Sequence, residues 1–326
     1  MKKLLAYAVV LLLLLLGVGT YWSQQPILPF DHAPIDFTIQ SGSSLVSSAQ
    51  QIADAGVPVH PDWLVWLARV TGRSTKIKAG SYQIKPGVSP NRLLRKLERG
   101  EFAQESLTII EGWTFQQMRA AIAAQPNLKH DSADWSDAEL MAKITADYSV
   151  PEGLFAPDTY LYAKDTSDLQ VYRQAYALQQ KRLDEAWLGH DDDLPYKNPY
   201  QALIMASIVE KETGHQEERD MIAGVFINRL KLGMLLQTDP SVIYGMGAAY
   251  TGTIRRRDLV TDTPYNTYTR KGLPPTPISL PGVASLAAAL HPAKTNALYF
   301  VARGDGSSHF SNNLGEHNSA VNKYQR

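Results

Sequence analysis

Residues 198–214 read Asn-Pro-Tyr-Gln-Ala-Leu-Ile-Met-Ala-Ser-Ile-Val-Glu-Lys-Glu-Thr-Gly, and no other segment restricts the fold as tightly. Asn198 suits a helix N-cap, Pro199 the first helical position, and Gly214 the left-handed residue just past the end. Between them Ala202–Val209 is apolar nearly all round, so the predicted helix has to be covered by other elements on most sides. Yet it runs out in Glu210-Lys211-Glu212-Thr213. A helix C-terminus carries partial negative charge and disfavours an ionised carboxylate. Ile208 and Val209 precede Glu212 by four and three residues, on its own side of the helix, and apolar neighbours act in the same direction. Lys211 opposes them. The balance predicts a Glu212 that keeps its proton near neutrality, as a general acid must. Glu210, with Ser207 and Ala206 one turn behind it, sits in a less apolar setting; it and Ser207 are second-tier candidates. On spacing alone, two ordinary helix-end charges fit equally well.

The N-terminus places the chain. Lys2 and Lys3 precede Leu4–Trp22, nineteen residues without a charge, and the next charged residue is Asp31. About 20 apolar residues span a bilayer as a helix. The leading lysines favour an N-in orientation with the body outside the cytoplasm, and Tyr21 and Trp22 suit the far interface. Residues 1–22 are therefore expected to be a single-pass anchor; a cleaved signal peptide, with Gly17 and Gly19 before the cut, is the alternative. Residues 23–35, with Pro26, Pro29 and Pro34, are expected to be a linker. Thirty-two basic residues balance thirty-two acidic ones, which gives no footprint for nucleic acid. The absence of cysteine removes disulfides, thiolate metal sites and a cysteine nucleophile. The histidines, His291, His309 and His317 among them, form no recognisable metal spacing, so neither metal nor cofactor is expected.

Beyond the linker, Asp36–Gln40 alternates like a strand and Ser41-Gly42 signals a turn. Helical patterns follow over Leu45–Ala55 and Pro61–Val70, then a strand over Gly80–Ile84 and a helix over Ser89–Arg99. This strand–helix–helix–strand order, with Phe37–Leu45, Ala49 and Ile52, resembles a LysM domain, a fold that binds N-acetylglucosamine-containing glycans. The expected organisation is α+β: an anchor, a small LysM-like module over 36–100, and a larger mixed α+β catalytic domain over 101–326. In that domain Ser106–Ile110 reads as a strand and Asp168–Glu185 as a long helix. His190–Asp193 reads as a solvated acidic loop.

Several residues here suit carbohydrate. Asn228 shares a helical face with Met221 and Val225, so its amide must find partners in core or cleft: backbone, Glu212 or a sugar acetamido group. Gln237 and Asp239 flank an apolar context in Leu236–Pro240, expected as a strand leading into a turn. Tyr265, Asn266 and Tyr268 mix flat rings with an amide, which matches the C–H faces and hydroxyls of sugars.

Ala206–Thr213 closely resembles the signature of the YceG-like endolytic peptidoglycan lytic transglycosylases. In order follow Glu217–Asp220, Val225–Leu230, Leu236–Gly245, Pro264–Tyr268, Gly272–Pro275, Pro277-Ile278, Pro281-Gly282 and His291–Lys294; upstream, Glu111-Gly112, Glu152-Gly153 and Pro157–Tyr160 also fit. The resemblance implies a single catalytic Glu at Glu212, cleaving between N-acetylmuramic acid and N-acetylglucosamine with 1,6-anhydro ends. It further implies nascent peptidoglycan strands as substrate, an inner-membrane enzyme facing the periplasm, and peptidoglycan synthases as partners. A membrane-tethered, non-catalytic peptidoglycan-binding scaffold is the alternative that the anchor and LysM-like module also fit.

Overall fold

A computed structural model describes residues 17–213 and 215–325, with Tyr7, Val10 and Leu14 before them. Gly214 and most of the expected anchor lie outside the described residues. Among the described residues no helix is long and apolar enough to cross a membrane. The chain is mixed α+β, with helices and small two-stranded sheets. It divides into two compact units, 1–105 with 161–165, and 106–160 with 166–326.

In the first unit the strand Ile35–Ile39 runs antiparallel to Gly80–Ile84, with Phe37 opposite Tyr82. Phe37 and Ile39 alternate inward, as a half-buried strand requires. The helices Leu45–Asp54 and Pro61–Val70 lie between the strands in sequence; Ser44 caps the first and Pro61 opens the second. A further helix, Pro90–Arg99, is capped by Ser89 and stopped by Gly100 at φ 70°. Ile52, Leu64, Tyr82, Leu93 and Leu97 fill the core they enclose. Residues 23–35 do not behave as a free linker: Leu28 is fully buried in that core and the Ile27 N–H donates to the Val88 carbonyl at 2.8 Å. Prolines stiffen this stretch, but its Ile-Leu pair has enough apolar area to pack.

The strand expected over Ser106–Ile110 spans Gln104–Thr108 and pairs with Thr159–Ala163. The second unit is built around the helix Pro199–Glu212, whose N-cap Asn198 accepts from the Gln201 N–H. Every residue from Ala202 to Val209 is buried. Helices Val283–Leu290, Arg219–Lys231, Asp168–Leu188 and Asp239–Met246 pack around it. Each of Leu203, Ile204, Met205, Ile208 and Val209 so covered is worth about 1.5–3 kcal/mol. An antiparallel hairpin, Tyr299–Ala302 with Ser308–Ser311, precedes a last helix, Leu314–Tyr324. The expected strand in Leu236–Pro240 is absent. Thr238 is extended and Asp239 opens a helix with Pro240 in its first turn, an arrangement that a leading carboxylate and an early proline both favour.

Candidate active site

The Glu212 helix ends at the wall of a cavity of about 600 Å³. Its other walls come from Leu236–Asp239, the turn at Tyr268, the hairpin at Tyr299–Ala302 and the last helix at Leu314, His317 and Val321. One Glu212 oxygen accepts a short hydrogen bond from the Thr238 hydroxyl. Thr238 is itself fixed: its N–H donates to the Thr267 hydroxyl at 3.0 Å, and its carbonyl accepts from the Ser241 hydroxyl at 2.8 Å. Burial pushes the Glu212 carboxyl up to about 7; the Thr238 hydrogen bond and the Arg229 charge pull down, and Asp239 pushes up. At neutral pH this group is therefore divided between acid and carboxylate, able to give a proton and then take one back.

Arg229 lies beneath the cavity. Its Nε donates to the Leu298 carbonyl at 2.6 Å and its Nη1 to the Leu236 carbonyl at 2.7 Å, and its guanidinium lies 5.1 Å from the Tyr299 ring centre. Asp239 accepts from the Tyr268 hydroxyl at 2.5 Å at the same cavity.

Of the residues singled out in the sequence, Glu212, Gln237, Asp239 and Tyr268 meet at this cavity. The others are placed elsewhere. Asn228 donates to the carbonyls of Thr295 and Ala297, at 2.8 and 3.1 Å, beside a separate cavity of about 710 Å³ bordered by Asp191–Asp193. Asn266 is wholly buried and ties the carbonyls of Asp258, Leu259 and Thr261. Tyr265 bonds Thr276 and packs edge-on against Tyr244. Glu210 accepts from the Gly282 N–H at 2.9 Å and pairs with Arg219 at 3.4 Å. The Ser207 hydroxyl donates to Ile204 and accepts from the Ile278 N–H, deep in the core.

Residues 37–323 match the YceG-like family. The chain belongs to that family. Among its relatives, an endolytic murein transglycosylase of Bacillus subtilis is 30% identical, over 92% of this chain and 87% of the relative. One of Streptococcus pneumoniae is 27% identical, over 95% of this chain but 63% of its own, longer length. The crystal structure of a YceG-like protein from Listeria monocytogenes aligns at 31% identity with a TM-score of 0.55, covering 88% of this chain and 98% of that one.

This YceG-like cavity also contains residues that sequence reasoning passed over. Thr238 and Arg229 hold Glu212 and its floor, and Tyr299 and His317 stack at 5.1 Å on the far wall. Burial, then Arg229, lowers the His317 pKa, so its ring is neutral at pH 7, and its Nδ1 is buried with no protein partner. Arg229 and Thr238 fall within the family-matching segments Val225–Leu230 and Leu236–Gly245, whereas Tyr299 and His317 lie in none of those segments.

Proposed function

We propose that this chain is an endolytic murein transglycosylase in which Glu212 is the general acid and base. The observation that carries the assignment is one carboxyl, bound by the Thr238 hydroxyl at the wall of a cavity large enough for sugar residues. The naming of the relatives as endolytic murein transglycosylases supports it. Glu212 protonates the oxygen linking N-acetylmuramic acid to N-acetylglucosamine, and the C–O bond breaks. The resulting carboxylate removes the proton from the muramic acid 6-hydroxyl, which bonds to the anomeric carbon and leaves a 1,6-anhydro end. The substrate supplies the nucleophile, so no second carboxylate is required. Gln237, Asp239, Tyr268 and the His317 ring line the space in which the sugars lie.

Residues 4–22 anchor the enzyme in the inner membrane, N-terminus inside, which holds the cut near emerging strands and their synthases. The module over 36–100 adds glycan affinity as a LysM-like domain. Digestion of purified sacculi, with mass analysis of the fragments, tests the chemistry: anhydro ends from the wild type and none from Glu212→Gln are expected. Undiminished cutting by Glu212→Gln would reject the assignment. Water-terminated ends would make the enzyme a hydrolase, with Asp239 of the same cavity as the second carboxylate.

A further inference from the structure

A second cleft, of about 590 Å³, opens in the same unit beside Glu152. Glu152 is buried, and both of its oxygens are occupied: one accepts from the Phe115 N–H at 2.9 Å, at the start of the helix Phe115–Ala123, and the other from the Tyr244 hydroxyl at 3.1 Å. Burial raises its pKa to about 7, against the pull of those hydrogen bonds. It is thus the back wall of the cleft. Tyr244 and Tyr265, edge-on at 4.8 Å, and the half-buried Tyr250 form one side, and the exposed Gln116 and Gln117 stand on the other.

The cleft shares two walls with the Glu212 cavity. Helix Asp239–Met246 presents Asp239 to the cavity and Ile243 and Tyr244 to the cleft. The turn at 265–268 presents Tyr268 to the cavity and Tyr265 to the cleft. A helix of that length is about 12 Å long, a span that a few linked sugars cover. The chemistry of the cleft indicates which sugar. Among the described residues no Lys, Arg or His lines it, and its other carboxylate, Asp137, is already paired with Arg119 at 2.7 Å. A ligand carboxylate would find no cation there and an ammonium no free anion. Ring faces beside amides fit a neutral ligand with C–H faces and hydroxyls.

We propose that this cleft is a distal subsite that holds an uncharged N-acetylhexosamine residue of the same glycan strand, a few sugars from the bond addressed by Glu212. The inference rests on the function proposed above. Binding energy gathered there is available only to strands long enough to reach it, which favours internal cuts over terminal ones.

The test measures kcat/KM for long glycan strands and for short oligomers, with full-length, detergent-solubilised enzyme. The variants are Tyr250→Ala, which removes a ring, and Gln116→Trp, which fills the cleft from its exposed rim. Both are expected to lower the long-to-short ratio about tenfold. A ratio equal to the wild type's in both variants would overturn the proposal. In a Glu212→Gln background, calorimetric binding of uncut strands is expected to weaken about tenfold on Tyr250→Ala, and unchanged binding would overturn it independently. Wild-type protein that binds strands through the cleft without cutting them would sink the transglycosylase assignment and leave the subsite standing.

Discussion

Replacing Glu212 by Gln should make the second unit more stable, and by an amount that grows with pH. The carboxyl's pKa is raised by folding from 4.5 to about 7. A group whose folded pKa exceeds its unfolded value favours the protonated fold. Its contribution is intact below about 4.5 and is lost as pH rises through about 7. Gln cannot titrate, so it escapes that loss. At about 1.4 kcal/mol per pH unit, the interval amounts to about 3 kcal/mol between pH 4 and pH 8. Amide hydrogen exchange across Ala202–Val209, the buried body of the helix that carries Glu212, reports the opening free energy of this unit. The measurement is the difference between variant and wild type at several pH values, in which groups common to both chains cancel. A difference that stays flat within about 1 kcal/mol from pH 4 to pH 8 would show that burial does not hold the proton on Glu212, and the general-acid argument would lose its basis.

The remaining expectations concern the supports of the cavity. Thr238→Val removes a donor that favours the ionised Glu212, so the alkaline limb of the kcat/KM profile should move up by on the order of one pH unit; a downward shift would contradict the hydrogen bond's role. Arg229→Met leaves the carbonyls of Leu236 and Leu298 without their donor and should cost on the order of 3 kcal/mol in urea unfolding, while raising the Glu212 pKa further. A loss below about 0.5 kcal/mol would mean that water replaces the guanidinium. Gln237 has φ 51°, so Gln237→Gly should be more stable than Gln237→Ala by about 1 kcal/mol, measured by thermal unfolding. Equal stability would indicate that the left-handed backbone there carries no strain.

How much could be read in advance depended on how local the physics was. The Glu212 helix was legible because its cap, its opening proline and its apolar body are neighbours in sequence. The raised pKa of Glu212 followed from the same neighbours, although the hydrogen bond from Thr238, 26 residues on, did not. Asn228 faces inward as its spacing required, but its partners are carbonyls nearly seventy residues away. In the 265–268 turn, composition alone matched a sugar platform. The structure spends Asn266 on its own backbone, three carbonyls and the Tyr268 N–H, a competition that short polar side chains often win. Arg229 and His317 lie 88 residues apart, and nothing in the sequence links them. Both acquire meaning only when Tyr299 is brought between them. The three prolines of residues 23–35 suggest a linker, whereas Ile27 and Leu28 pack the stretch onto the first core.

Arg229 also sets a limit on chain length. Its helix ends two residues later, Gly233 turns the chain at φ 65°, and the carbonyls of Leu235 and Leu236 come back onto the same guanidinium that holds Leu298. One residue added between Lys231 and Leu235 would draw Leu236 off that clasp and swing Thr238 away from the carboxyl it restrains. The exposed hairpin tip at 303–306 closes on its own neighbours, through the Arg303 N–H to the Ser307 carbonyl at 2.8 Å and Ser307 to the Asp305 carboxylate, so residues added there would not pull on Thr238. In this stretch the count of residues matters more than their kind, so the reacting group is held to a fixed measure while the far rim remains free to vary.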